Sequence, residues 1–458
     1  MRRIRFALLT LLVCAPLRAQ LPTADAWRED VAVLRDALDT VHPGLHRYQT
    51  PVQLNEGFAQ LEKQLVASRD LGEAYLALAR FLSRIECGHT YPNPANQKRV
   101  VADAIFRNTP RLPFYFRWRD GRMIVTRDAS RSGAFPVGTE VTAVNGVPTS
   151  AILEQLIPLS RADGANRPKR IANLEVVPED RWDAFDVYFP HVFPPPAKEK
   201  WTFDVGGRSI EEVPATDAER LAIREELLHS AKDSNAPPWT LVVDGTKATL
   251  GMRTWVTYND NWDWEAWLRH AFEQLQDKKV ELLIIDLHGN EGGSSVGDVI
   301  LAHLIRKPVQ RDLFRRFVRY RSLPERLRAP LTTWDRSFDE WKDAKPSSAR
   351  PGFFEVPTPG EELIQPRTPH FGGKVEVLVG PENSSATFEF ALAMKRYKLG
   401  KLVGQPTGGN QRGINGGAFY FVRLPHSQLE LDLPIIGLYA DGNPPNGGIA
   451  PDVYVKPE

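Results

Sequence analysis

Apolar residues recur at three- and four-residue steps through the first part of the chain. Further on they alternate with polar residues or form unbroken runs. Trp27, Val31, Leu34, Leu38 and Val41 make one helical stripe. Phe58, Leu61 and Leu65 continue the pattern, followed by Tyr75, Leu78, Phe81 and Leu82. Residues 24–86 are therefore predicted to be helical and to end in Cys87-Gly88-His89-Thr90. The character changes over 112–215. Residues 112–118 alternate near their end, Asp120-Gly121 signals a hairpin, and 122–126 is the returning strand. The stretch 138–148 reads as a strand, an Asn145-Gly146 turn and a new segment, and the proline-rich stretch 190–200 reads as a connector.

From about residue 238, strands alternate with helices. Residues 239–244 and 248–255 pattern as paired strands, and 264–276, 296–304 and 386–397 as helices. The run 281–287 is continuously apolar through its centre, as buried strands are, and 374–379 reads as another buried strand. Residues 322–362 are polar and proline-containing, an insertion or long loop. Strands alternating with helices imply a mixed α/β layer. The predicted fold class is thus α/β within a multi-domain α+β chain: an N-terminal helical domain, a β-rich middle and a C-terminal α/β core.

Length and charge narrow the picture. A chain of 458 residues has room for two to four domains. Its 58 basic and 57 acidic side chains leave a net charge of +1, which supplies no electrostatic reason for a nucleic-acid or anionic-membrane partner. The first residues resemble a secretory signal: Arg2, Arg3 and Arg5 precede an apolar stretch over 6–15, and Leu17-Arg18-Ala19 resembles a cleavage site. Residues 1–19 are expected to be a signal peptide and the mature chain to be periplasmic or extracellular. The apolar stretch is far short of a bilayer span, and no other run is long enough. Val13 before Cys14 does not suit a lipoprotein signal. Removal of the signal would leave Cys87 as the single cysteine, so no internal disulfide is expected. There is no HExxH motif and no paired-cysteine motif, so neither a metal nor a cofactor is expected.

Two segments could carry chemistry. Residues 375–380 run as a strand into Pro381-Glu382-Asn383-Ser384-Ser385-Ala386-Thr387 and then a helix. A turn of that kind opens at the mouth of a sheet, where a serine meets the free N–H groups of a helix start. An acyl-transfer nucleophile needs this setting, although serine is equally at home as a helix cap. The second segment, Asp286-Leu287-His288-Gly289-Asn290-Glu291-Gly292-Gly293, follows the other apolar strand. Its paired glycines allow close backbone approach, suited to an oxyanion hole or simply to a tight turn.

Together these segments resemble the C-terminal processing peptidase family, which includes the tail-specific proteases and the tricorn core. Leu402 to Gly409 and Gly448 to Val453 match the same family in the same order. Cys87-Gly88-His89-Thr90 resembles the histidine segment of its His-using members, and 138–148 is similar to the family's PDZ motif. After the expected signal peptide over 1–19, the resemblance implies a helical domain over 20–110, a PDZ-like domain over 111–235 and a crotonase-like catalytic domain over 236–458. It implies Ser385 as nucleophile, with Ser384 as the alternative, and His89 as general base. Gly292 or Gly293, with the N–H of Ala386, would form the oxyanion hole. The partner would be a peptide or protein substrate.

The sequence departs from the family in two places. Where many members carry a catalytic lysine it has Asn410, which cannot act as a base. Over 439–448, where the resemblance implies an acidic residue that orients the histidine, no glutamate appears. Asp441 is the nearest carboxylate, Asp432 a second candidate, and Asn446 an uncharged substitute. These departures keep open a catalytically inactive binding protein on the same fold. An esterase or amidase acting on small substrates is a further alternative.

Overall fold

The structure, a computed structural model, describes residues 21–178, 182–232, 238–258, 262–311, 313–358, 360 and 362–456. The expected signal peptide, 1–19, lies outside them.

The N-terminal stripes form three helices, Ala24–Val41, Pro51–Ala67 and Leu71–Ser83. Each begins where a side chain accepts a free backbone N–H: Thr23, Thr50 (in a capping box with Gln53) and Asp70. Their apolar faces, including Trp27, Leu34, Phe58, Leu61, Tyr75 and Leu78, are buried. Each large apolar side chain so buried is worth about 1.5–3 kcal/mol. The helices dock onto the rest of the chain through polar contacts as well. The buried Asp30 carboxylate accepts the N–H groups of His426 and Ser427, both at 2.9 Å.

The middle of the chain folds as a sheet in the order Phe114–Arg119, Arg122–Asp128, Glu140–Val144, Trp201–Val205, Arg208–Glu212, with Val147–Pro148 paired beside Glu140–Val144. Both predicted turns are present: Asp120-Gly121 and Asn145-Gly146 take positive φ at both residues, as two-residue hairpins require. Helices Thr149–Leu156, Arg167–Ala172 and Ala184–Val192 lie between the strands in sequence. The predicted connector 190–200 begins inside the last of these, because Pro190 sits within it.

The C-terminal core is a six-stranded sheet in the order Trp239–Asp244, Lys247–Met252, Leu282–Asp286, Lys374–Val379, Lys401–Gly404, Val453–Tyr454. The first pair is antiparallel and the remaining pairs are parallel. Leu282–Asp286 and Lys374–Val379 are neighbours with Asp286 opposite Leu378. Their carboxyl ends therefore open on the same side, and so do the two loops that follow, which is where open α/β sheets bind ligands.

A second six-stranded sheet was not foreseen in the sequence. Its centre is the hairpin of Asn415–Arg423 and Glu430–Tyr439, whose alternation is obscured by Gly416, Gly417 and Pro434. The stretch expected to be an insertion or loop supplies short strands to it, Leu331–Thr332, Lys345–Pro346 and Phe354–Glu355. Strand Glu430–Tyr439 is buried along its whole length.

Candidate active site

Side-chain amides stitch the two glycine- and serine-bearing loops together. The buried Asn383 accepts the Gly380 N–H (2.7 Å) and donates to the carbonyls of Leu287 (2.6 Å) and Asn290 (3.0 Å). Thr387 Oγ1 also reaches the Asn290 carbonyl at 3.1 Å, and Asn290 Nδ2 donates to Met252 O at 2.7 Å. A polar group buried here without a partner would cost about 1–3 kcal/mol, so this network fixes where the next residues point.

Those next residues are the two serines. Ser384 is buried, and its hydroxyl donates to the Glu291 carbonyl at 3.3 Å. Ser385 opens the helix Ser385–Arg396 with φ +51°, in the left-handed region. It is half-buried, and its hydroxyl makes no hydrogen bond among the described residues. A non-glycine residue held in a sparsely populated backbone region costs about 1–3 kcal/mol and persists only where its surroundings impose it.

Across from it, Gly292 and Gly293 have φ of +109° and +137°. A Cβ on Gly292 would lie 2.9 Å from Ala386 N and 3.0 Å from Ser385 Cβ, and one on Gly293 would lie 2.3 Å from Trp255 O. Only glycine fits either position. The roles expected of the two glycines separate here. The Gly292 N–H donates to Asn290 Oδ1 at 2.9 Å, so it is already engaged. Ala386 is in the first helical turn, whose N–H groups lack intrahelical acceptors, and the Gly293 N–H has no acceptor among the described residues.

His89 comes from the far end of the chain. The loop that carries it is pinned on several sides. Gly88 N donates to Asp163 Oδ1 (2.9 Å), and Gly88 O accepts from Arg161 (2.6 Å). His42 Nε2 bonds Thr90 Oγ1 at 2.8 Å, and Asn415 Nδ2 approaches Cys87 Sγ at 3.2 Å. An isolated bridge between Tyr91 and Asp432 lays the segment along the second sheet. The His89 ring packs against Phe419 with centroids 5.6 Å apart. Burial, reinforced by the positive charges of Arg161 and Lys169, pushes the His89 pKa down to about 4, with Glu291 opposing. The imidazole is therefore neutral, hence able to accept a proton, across the whole range above that value.

Both segments converge on Glu291. Its carbonyl holds Ser384, and its carboxylate pairs with Arg161 (3.3 Å) and with the buried Lys169 ammonium. The Glu291 side chain is about half exposed, while its two cationic partners lie deeper. Burial alone would raise the Glu291 pKa, but Lys169 and Arg161 outweigh it and hold the carboxyl near 2. Lys169 also donates to Glu382 O at 3.1 Å. Arg161, Lys169 and Glu291 thus connect the histidine loop to the serine loop. Lys169 and Arg161 carry no motif, and nothing in the linear sequence marks them.

The structure sorts the candidates for a third member. Asp441 is exposed, its charge acts on Arg315 and Arg350, and it is not among the groups acting on His89. Asp432 accepts from Asn93 (2.9 Å) and Asn96 (2.8 Å), and burial raises its pKa to about 6. Asn446 accepts from Asn410 Nδ2 at 2.7 Å. Asn410 itself is buried and also donates to Asp163 O at 3.1 Å, a structural use of the position where a lysine base was absent. His89 Nδ1 is buried without a hydrogen-bond partner. Among the described residues, no group of three or more His, Cys, Asp or Glu could hold a metal ion, and no helix is long and apolar enough to cross a membrane.

Comparison with known proteins extends this geometry. No curated protein matches the chain. Among solved structures, a mutant of CPAF matches with TM-score 0.65 at 15% identity, covering 94% of this chain and 93% of that one. Mature CPAF complexed with lactacystin matches with TM-score 0.61 at 14% identity, covering 94% of each. At such identities the likeness is one of fold. The model of peptidase family S41 matches residues 251–455, which include both central strands, the Gly292–Gly293 turn and Ser385. Residues 251–455 are therefore similar to peptidase family S41, and the chain as a whole shares the fold of the CPAF structures.

Proposed function

We propose that this chain is an exported peptidase that cleaves peptide bonds through an acyl-enzyme on Ser385, with His89 as general base. The observation that carries the proposal is the backbone of Ser385. A serine held at φ +51° presents an unengaged hydroxyl at the mouth of the sheet, opposite a turn that only glycine can make. Ser385 Oγ would attack the scissile carbonyl while His89 takes its proton. The N–H groups of Ala386 and Gly293 would hold the resulting oxyanion, and His89 would return the proton to the leaving amine. Gly292 contributes space rather than a donor, because its N–H is committed to Asn290. Asp441 has no part in this reading, and His89 works without a carboxylate partner. Export rests on residues 1–19. The sheet over 114–212 would serve as the PDZ-like module. Its Phe114–Arg119 edge is partly taken by Val176, which leaves Arg208–Glu212 as the edge for adding a peptide strand.

The test is a fluorophosphonate probe applied to the mature protein, with the modified residue mapped by mass spectrometry. Labelling at Ser385 that is abolished in Ser385→Ala and strongly slowed in His89→Ala is the expected result. Labelling that stays at full rate in His89→Ala would remove His89 as base. A second reading, a peptide-binding protein without turnover, is favoured by the unpartnered His89 Nδ1 and by Asn410 in the lysine position. It expects no labelling of the wild type.

A further inference from the structure

A cavity of about 310 Å³ opens beside the second sheet, away from Ser385. Its walls bring together four guanidinium groups, Arg47, Arg319, Arg350 and Arg412, with Tyr439 and Phe353 between them. Arg47 and Arg350 both stack on the Tyr439 ring, at 3.9 and 3.8 Å from its centroid, and Arg319 lies over Phe353 at 4.8 Å. No carboxylate lines the cavity, and none of the four arginines makes an ion pair among the described residues. Two carboxylates act on the cluster from outside the lining: the charge of the exposed Asp441 is felt at Arg350 and that of the buried Asp163 at Arg47, neither through a salt bridge. Arg47 Nε is buried without a partner, although Arg47 Nη2 is held by Asn415 Oδ1 (3.1 Å) and Leu438 O (3.0 Å). Four like charges gathered in one concave site repel one another, and an anion that enters relieves that repulsion. The stacked aromatic rings hold the planar guanidiniums in place, ready for the bidentate recognition that carboxylates favour.

We infer that this arginine-lined cavity binds a carboxylate of an acidic peptide, making it an accessory substrate-recognition site. The inference rests on the peptidase reading for its choice of ligand. The cavity is of a size to take an acidic side chain or a terminal carboxylate, with Phe353 and Tyr439 covering the aliphatic part. It also connects to the reaction centre. Asn415, which holds Arg47, is followed by Gly416, where an added Cβ would lie 3.8 Å from His89 Cε1.

Binding is measured by fluorescence anisotropy on full-length mature Ser385→Ala protein, with a labelled Glu-rich peptide, its Gln-substituted twin, and the Gln twin carrying either a free or an amidated C-terminus. Arg350→Gln and Arg319→Gln are tested in the same background, Arg269→Gln on an exposed helix serves as control, and melting curves verify folding. The expected result is about ten- to a hundredfold tighter binding of a carboxylate-bearing peptide than of its neutral twin, lost in Arg350→Gln and Arg319→Gln but kept in Arg269→Gln. The Glu-rich and free-terminus arms tell a side-chain carboxylate from a terminal one. Equal affinity for all peptides would overturn the inference, and so would a preference that Arg269→Gln removes equally. Inorganic phosphate binding that depends on Arg350 while no peptide shows a preference would make this a small-ion site and also overturn it. Because the assay needs no turnover, its failure is separate from a failure of fluorophosphonate labelling.

Discussion

Replacing Gly292 with alanine tests the proposed geometry most directly. The new methyl group would meet Ala386 N at 2.9 Å, Ser384 O at 3.0 Å and Ser385 Cβ at 3.0 Å. Two of these are backbone atoms at a helix start and cannot rotate away. Restoring ordinary contact near 3.4 Å requires the first turn of Ser385–Arg396 to retreat by about 0.4–0.5 Å. A misplacement of about 1 Å costs roughly a hundredfold in rate, and loss of one oxyanion donor costs about 10²–10³-fold. Gly292→Ala is therefore expected to slow fluorophosphonate labelling and peptide hydrolysis by about 10- to 1,000-fold. The φ of +109° adds backbone strain of about 1–3 kcal/mol, which lowers the melting temperature by a few degrees per kcal/mol. Gly289→Ala separates the two effects. Gly289 also has positive φ, +77°, but a Cβ there meets nothing within 4 Å. It should lose stability by the strain alone and keep most of its labelling rate. Wild-type labelling in Gly292→Ala would refute the reasoning, as would an equal loss in Gly289→Ala.

The labelling rate should rise with pH through about 4 and level off above, because burial holds His89 neutral down to that value; an inflection near 6.5 would contradict this. The same depressed pKa stabilises the fold fully above about pH 6.5, and this contribution declines as pH falls toward 4, which melting curves at stepped pH would record. Glu291→Gln removes the negative charge that favours protonated His89, so the acid limb of the rate profile should move to still lower pH; a shift upward would be evidence against the assigned cluster. Asp441→Asn should change kcat/KM less than about threefold, because Asp441 is exposed beside Arg315 and Arg350; a loss of about a hundredfold or more would restore it as a partner of His89. Lys169→Met should lower stability by about 1–3 kcal/mol in denaturant titration, a discounted value because Glu291 reaches solvent and keeps Arg161; an unchanged midpoint would mean the buried ammonium contributes nothing.

The linear sequence determined whatever depends on neighbours along the chain. Periodicity at Trp27, Val31, Leu34 and Leu38, with caps at Thr23 and Thr50, is enough for the first helices, because a helix satisfies its own backbone. Asp120-Gly121 and Asn145-Gly146 mark their turns because few residues tolerate positive φ. The apolar run before Asp286 and the valine- and leucine-rich strand before Gly380 mark the central strands, and so the mouth where Ser385 stands. The second sheet was not legible. Its hairpin is broken by Gly416, Gly417 and Pro434, and its outer strands are only two residues long, so partners distant in sequence hold them. The environment of His89 was equally hidden. A glycine-flanked histidine looks the same in any loop, and only folding surrounds it with Arg161, Lys169 and Glu291 and removes it from water. The serine followed from a strand, a turn and a helix adjoining in sequence. The surroundings of His89 depend on side chains distant from it in sequence, and the tertiary structure alone decided which charges it meets.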